Sequence, residues 1–427
     1  MAEDIFFLLF SKALSNLKVT AVEISEYLKN IYASHWCTFR DKDEKYPGSF
    51  VVADGSYQST AFQGGVRALC VRAIANRYEG NVLANYYPDV AVKLGFRLKR
   101  ASLYMKALEL KCLRRALNDC SDGSIAIHDG TIYPTISPKS LAGVTEQEVD
   151  AILEWLGSLY ELYKFAMDHG HVLLGVVKDS HVNYLRSRIL VRCIADVDYK
   201  LGEAISRERS LKNIASCLRE ALSASPNDAL EEFLREAELM TSDEEVFEIC
   251  TSEPGFTKPL LLAPQPLYLS EEVKAGTRNW RESRLRSRLE SSSLLKPVSG
   301  VLDRIYSLPP ILMFYWRPWH GYGVYRVDVA SWVLNVGLRS DEMEGDRLID
   351  DLDLVEKCRK IVSALNSLSP EPYAVKPLTD ADELVRLRRS VYQESYEPVL
   401  IDYLRGEGLR AHPTKRARRE TVLRRLR

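Results

Sequence analysis

The chain has no run of eighteen apolar residues, so no segment reads as a membrane-spanning helix. Its most apolar start, Ile5-Phe6-Phe7-Leu8-Leu9-Phe10, is too short to cross a bilayer. It also lacks the basic opening and small-residue cleavage site of a secretory signal. The reading is a cytoplasmic protein with no membrane partner, and an N-terminal helix whose apolar side needs a cover. The eight cysteines form no CxxC pair and have no metal-ligand spacing with histidine, which argues against zinc and for small core residues. Neither GxGxxG nor GxxxxGKS/T occurs, so dinucleotide and P-loop chemistry have no support. No repeat of twenty to fifty residues is visible.

What is present is an ordinary globular composition in 427 residues, 46% hydrophobic and 27% charged. The net charge of −1 hides segregation. From Leu404 to Arg427 nine Lys/Arg face two Glu, a local +7, which leaves −8 on the rest. Asn227 to Glu253 holds ten acids and one Arg, and the helical, Ser-rich stretch Arg207–Glu253 that contains it looks like a surface insertion. A basic tail on an acidic body reads either as a nucleic-acid arm or as a solvated helix end.

The most informative stretch is Phe50-Val51-Val52-Ala53-Asp54-Gly55-Ser56. A short apolar run bounded by turn residues predicts a buried strand, here delivering one carboxylate onto a glycine. Ile125-Ala126-Ile127-His128-Asp129-Gly130-Thr131 repeats the device. Each Asp-Gly alone reads equally well as a turn; two together suggest carboxylates converging at strand ends, where open α/β sheets build sites. A hairpin return over 66–75, helices over 99–117 and 145–168, a strand over 171–177 and a late strand pair at 311–316 and 322–329 complete a mixed α/β sheet covered by helices. Thr145-Glu146-Gln147-Glu148 is a capping box, and Asp179 reads as the N-cap of a helix over 182–191.

Phosphodiester hydrolysis needs an activated water and a neutralised leaving oxygen, which two divalent ions about 3.5–4 Å apart supply. Mg²⁺ or Mn²⁺ takes hard oxygen ligands from several Asp or Glu. Glu109 is the third candidate: it shares a helix turn with Met105, Leu108 and Cys112, a poor place for a carboxylate without a cation. An exposed Glu beside Lys106 or Lys111 is the alternative. His128, by strand alternation, points away from Asp129 and reads as structural. Trp316, Arg317, Trp319, Tyr322 and Arg326 read either as core or as a platform on which unstacked bases lie.

Val-Val-Ala-Asp54-Gly-Ser, Glu109, Asp129-Gly-Thr and Gly175-Val-Val-Lys178-Asp-Ser resemble the NurA nuclease family. Tyr325-Arg326-Val327-Asp328-Val329 is similar to that family's late strand, R-V/I-D/E. Pro377-Leu378-Thr379-Asp380-Ala381-Asp382-Glu383 is similar to its P-L-x-x-A-H motif, with Asp382 where the family has His. The resemblance implies an RNase H-like fold and a metal site of Asp54, Glu109, Asp129 and Asp382 holding Mn²⁺ or Mg²⁺. It places Lys178 on the scissile phosphate. It implies 5′→3′ exonuclease and single-strand endonuclease action on single- and double-stranded DNA in end resection, a homodimer, an archaeal source, and a hexameric HerA-type helicase-translocase as partner. The implied division is an N-terminal helical segment at 1–40, a nuclease domain at 41–403 with a helical insertion at about 205–290, and a basic tail at 404–427. Asp382 in place of His leaves open a catalytically inactive scaffold or DNA-binding subunit of the translocase.

Overall fold

The computed structural model describes residues 7, 9, 10, 14, 23–39, 48–96, 98–136, 144–239, 241–264, 292–369 and 375–409. In chain order the elements are α1 (Glu26–Ser34), β1 (Trp36–Thr38), β2 (Ser49–Ala61), β3 (Val66–Glu79), β4 (Val82–Phe96), α2 (Ala101–Leu117), β5 (Ile125–Asp129), α3 (Glu146–Asp168), β6 (Val172–Val177) and α4 (Tyr184–Val197). There follow α5 (Tyr199–Ala204), α6 (Leu211–Ala224), α7 (Asp228–Glu238), α8 (Asp243–Cys250), β7 (Gly255–Thr257), β8 (Leu260–Leu262), α9 (Lys296–Tyr306), β9 (Ile311–Arg317), β10 (Tyr325–Ala330), β11 (Arg347–Leu348), α10 (Leu352–Ser367), α11 (Lys376–Val385) and α12 (Glu397–Gly406).

The strands form one mixed sheet in the order β1-β7-β9-β10-β6-β5-β2-β3-β4, with β8 joining β9 and β11. The long β2-β3-β4 meander is antiparallel, whereas β5 lies parallel to β2, and β6 parallel to β5. A three-stranded meander followed by two parallel crossover strands on its far side, in the order β4-β3-β2-β5-β6, is the RNase H-like core. Strand β2 is central because Phe50, Val51, Val52 and Ala53 are all buried, which two covered faces require.

Two cores occupy the two faces. Val51, Ala53 and Ala126 pack with Ala107, Leu110 and Leu113 of α2 on one side. Phe50, Val52, Ile125 and Ile127 pack with Leu378 and Ala381 of α11 on the other. Ala107, Leu110, Leu113 and Leu117 of α2 are buried, Leu103 is partly buried, and the box Thr145/Glu148 caps α3.

Two readings need correction, and one strand has no sequence signal. The segment read as a helical insertion is helical to Cys250, but Gly255–Leu262 then adds β7 and β8, fully buried, to the main sheet. Buried Phe233 and Phe247 likewise anchor its helices, so amphipathic acidity had hidden a core-facing side. Asp179 is no cap: it adopts φ +55°, and α4 starts after Asn183. Strand β4, read from no sequence signal, is an outer strand with outward-facing Val90, Val92, Leu94 and Phe96. The tail beyond residue 409 and Phe6 lie outside the described residues, while Phe7, Leu9 and Phe10 are exposed. All eight cysteines are free thiols, and no described helix is long and apolar enough to cross a membrane.

Candidate active site

Strands β2 and β5 pair from Phe50↔Ile125 to Ala53↔His128 and then part. Asp54 and Asp129 are the next residues, so the two carboxylates stand where the parallel pair opens. Alternation turns Asp54 and Asp129 to the α11 side of the sheet, and Gly55 and His128 to the α2 side.

Asp54 is 8% exposed, and its carboxyl is pushed up to about 7. Burial is the largest cause, followed by the charges of Asp129 and Glu109; the Gly55 amide, donating to Oδ1 at 2.7 Å, opposes them, and Asp382 adds a further push. Acids from α2, the end of β5 and α11 thus all act on the Asp54 carboxyl of β2.

Glu109 is 1% exposed, not a surface residue. It reaches the opening between the strands because Gly55 lacks a side chain: a Cβ there would stand 2.4 Å from Glu109 Oε1. Its other oxygen, Oε2, is 2.9 Å from His128 Nε2. Burial depresses the basicity of His128, but the hydrogen bond and charge of Glu109 outweigh it and raise the imidazole above its ordinary value. Asp129 Oδ2 accepts from Lys178 Nζ at 2.8 Å, and Asp382 accepts from Arg386 one helical turn on. Both pairs are partly exposed.

The donor set is all carboxylate oxygen, the kind that Mn²⁺ and Mg²⁺ take. Among the described residues, no group of three or more His, Cys, Asp or Glu is drawn tightly enough to hold a metal ion as it stands. Among the described residues, Glu109, Asp129 and Asp382 each pair with a basic side chain, whereas the hydrogen bond to Asp54 comes from a backbone amide.

The base-stacking platform is largely overturned. Trp316 is fully buried and donates to Asn366 Oδ1 at 2.8 Å. Arg317 is 2% exposed and donates to the carbonyl of Thr251. Arg326 is equally buried and holds Asp328 at 2.8 Å. Their burial follows from strands β9 and β10 being interior to the sheet, a placement that the aromatic run itself does not encode. Trp319 and Tyr322 are half-buried, and Trp319 donates to the carbonyl of Ser369 at 3.0 Å.

Nothing in the sequence pairs His128 with Glu109 directly. The signal lies in alternation, which turns His128 toward the face covered by the helix that carries Glu109.

The sequence profile of the NurA domain matches residues 48–387. Among solved structures, the NurA nuclease from Sulfolobus solfataricus is 13% identical, with 96% of each chain covered and a TM-score of 0.46. A NurA structure bound to dAMP and manganese is 13% identical, covering 93% of this chain and 96% of that one, with a TM-score of 0.40. A NurA structure with manganese is 14% identical, covering 93% and 98%, with a TM-score of 0.39. No curated protein matches the chain.

Proposed function

The chain belongs to the NurA family, and from that premise we propose that it is a metal-dependent nuclease that hydrolyses phosphodiester bonds in DNA. The observation that carries this reading is Asp54, buried where the parallel strands part, with its carboxyl pushed up to about 7 by that burial first and then by three acids from three other elements. A fold has little reason to gather such repulsion unless a cation relieves it in the working state.

In this reading Asp54, Glu109, Asp129 and Asp382 would hold Mn²⁺ or Mg²⁺, which when bound would supply a lowered pKa for an attacking water and charge neutralisation for the departing oxygen. Lys178, 38% exposed in its side chain at the mouth of the carboxylate group, leaves Asp129 and takes a phosphate oxygen. Asp54 would serve as a ligand in its carboxylate form, its proton passing to solvent. The meander and α2 keep Asp54 and Glu109 buried, so the ligands lose little conformational freedom on binding.

The finer reading follows the family: 5′→3′ exonuclease and single-strand endonuclease action in end resection, as a homodimer working with a HerA-type hexameric translocase. Exposed Phe7, Leu9 and Phe10, together with Val92, Leu94, Val399 and Tyr403 on β4 and α12, support apolar contacts of that kind. The N-terminal helical segment, the nuclease domain and the basic tail expected from the sequence remain part of this reading, without the separate helical insertion.

The test is end-labelled single-stranded and duplex DNA incubated with Mn²⁺, Mg²⁺ or EDTA. Cleavage with either metal, lost in EDTA and in Asp54→Asn, supports a nuclease. A folded wild-type protein that binds DNA yet never cuts it would make the chain an inactive scaffold or DNA-binding subunit instead.

A further inference from the structure

We propose that His128 is a positioning residue of this site, holding one oxygen of Glu109 so that the other faces the cation. The proposal rests on the reading of Asp54, Glu109, Asp129 and Asp382 as a metal site. Both side chains are out of water, 2% and 1% exposed. A carboxylate that deep needs a partner, and among the described residues His128 Nε2, 2.9 Å from Oε2, supplies it.

The ring is itself fixed. Nδ1 lies 3.3 Å from the carbonyl of Gly130, which only accepts, so Nδ1 carries a proton and donates it. That carbonyl is seated on Gly175 of β6, where a Cβ would stand 2.5 Å from it, and the Gly130 amide donates to the Val176 carbonyl at 2.8 Å. Position therefore passes from β6 through Gly130 and the imidazole to Oε2. The second oxygen, Oε1, is the atom nearest the missing Cβ of Gly55, beside Asp54. With one oxygen tethered and the other pressed against a glycine, the carboxylate plane has little freedom left.

Outer partners of this kind orient ligands, and removing them weakens metal binding by about 10- to 100-fold. Two substitutions separate the tether from general packing. In His128→Asn the amide falls short of Glu109, whereas in His128→Gln it reaches far enough to donate to Oε2. Mn²⁺ affinity is read from the loss of the free-ion electron paramagnetic resonance signal on titration with protein, without DNA. The expected result is a fall of at least 10-fold in His128→Asn and a value within about 3-fold of wild type in His128→Gln. Equal affinity in all three proteins would overturn the proposal, as would a Gln variant as weak as the Asn variant. A wild-type protein that takes up no Mn²⁺ would sink the metal-site reading itself, a different outcome from either.

Discussion

The carboxylate of Glu109 occupies the space that a side chain at position 55 would need: a Cβ on Gly55 would lie 2.4 Å from Glu109 Oε1 and 2.8 Å from Met105 Cγ. The glycine after Asp54 is therefore a packing requirement of the site and not only a turn signal. Gly55→Ala is expected to force Glu109 and Met105 outward, costing about 1–3 kcal/mol in urea unfolding. Cleavage should fall with it. An alanine variant as stable and as active as wild type would mean that Glu109 does not need that space.

Asp54 makes the stability of the metal-free protein depend on pH. Its carboxyl sits at 3.8 when unperturbed and at about 7 in the fold. Between those values the folded state keeps a proton that the unfolded chain has lost, so stability falls as pH rises from about 4 to about 7 and then levels. Asp54→Asn removes this slope. In EDTA at pH 8 the variant should be more stable than wild type by about 1–3 kcal/mol, with no advantage near pH 4. It should also fail to cut DNA. Parallel stability curves for the two proteins across that range would contradict the shift.

Arg326 and Asp328 form a buried pair, with Thr131, just beyond Asp129, donating to Asp328 Oδ2 at 2.5 Å. Arg326→Met strands the carboxylate and should destabilise the fold by about 3–5 kcal/mol. Because the guanidinium is internal, the salt dependence of DNA binding by the folded variant should not change. A slope lower by about 1 would instead make Arg326 a contact to DNA.

Asp382 is held by Arg386, and its side chain is 37% exposed, so it is free to turn toward a cation at small cost. Asp382→Ala should weaken apparent metal affinity and slow cleavage, while Asp382→His, which supplies a nitrogen ligand, should retain activity with Mn²⁺. Cleavage by the alanine variant at the wild-type rate throughout a metal titration would place the fourth ligand elsewhere.

The sequence by itself determined the local chemistry of this protein. Four apolar residues before Asp54 and the run before Asp129 make central strands because both their faces must leave water, and a period-3.6 stripe buries one side of α2. The acids at those strand ends, and Glu109 within an apolar turn, could be named without a structure for the same reason. Only the tertiary structure decided which groups meet. The pairing of His128 with Glu109 joins two elements across the α2 face, and its geometry depends on where β2 and β5 part, a matter of strand twist and register. Burial of Trp316, Arg317 and Arg326 likewise depends on which strands end up inside the sheet. Aromatic and arginine side chains suit a core pair or a DNA surface equally well, and strand order, a long-range property, chooses between them.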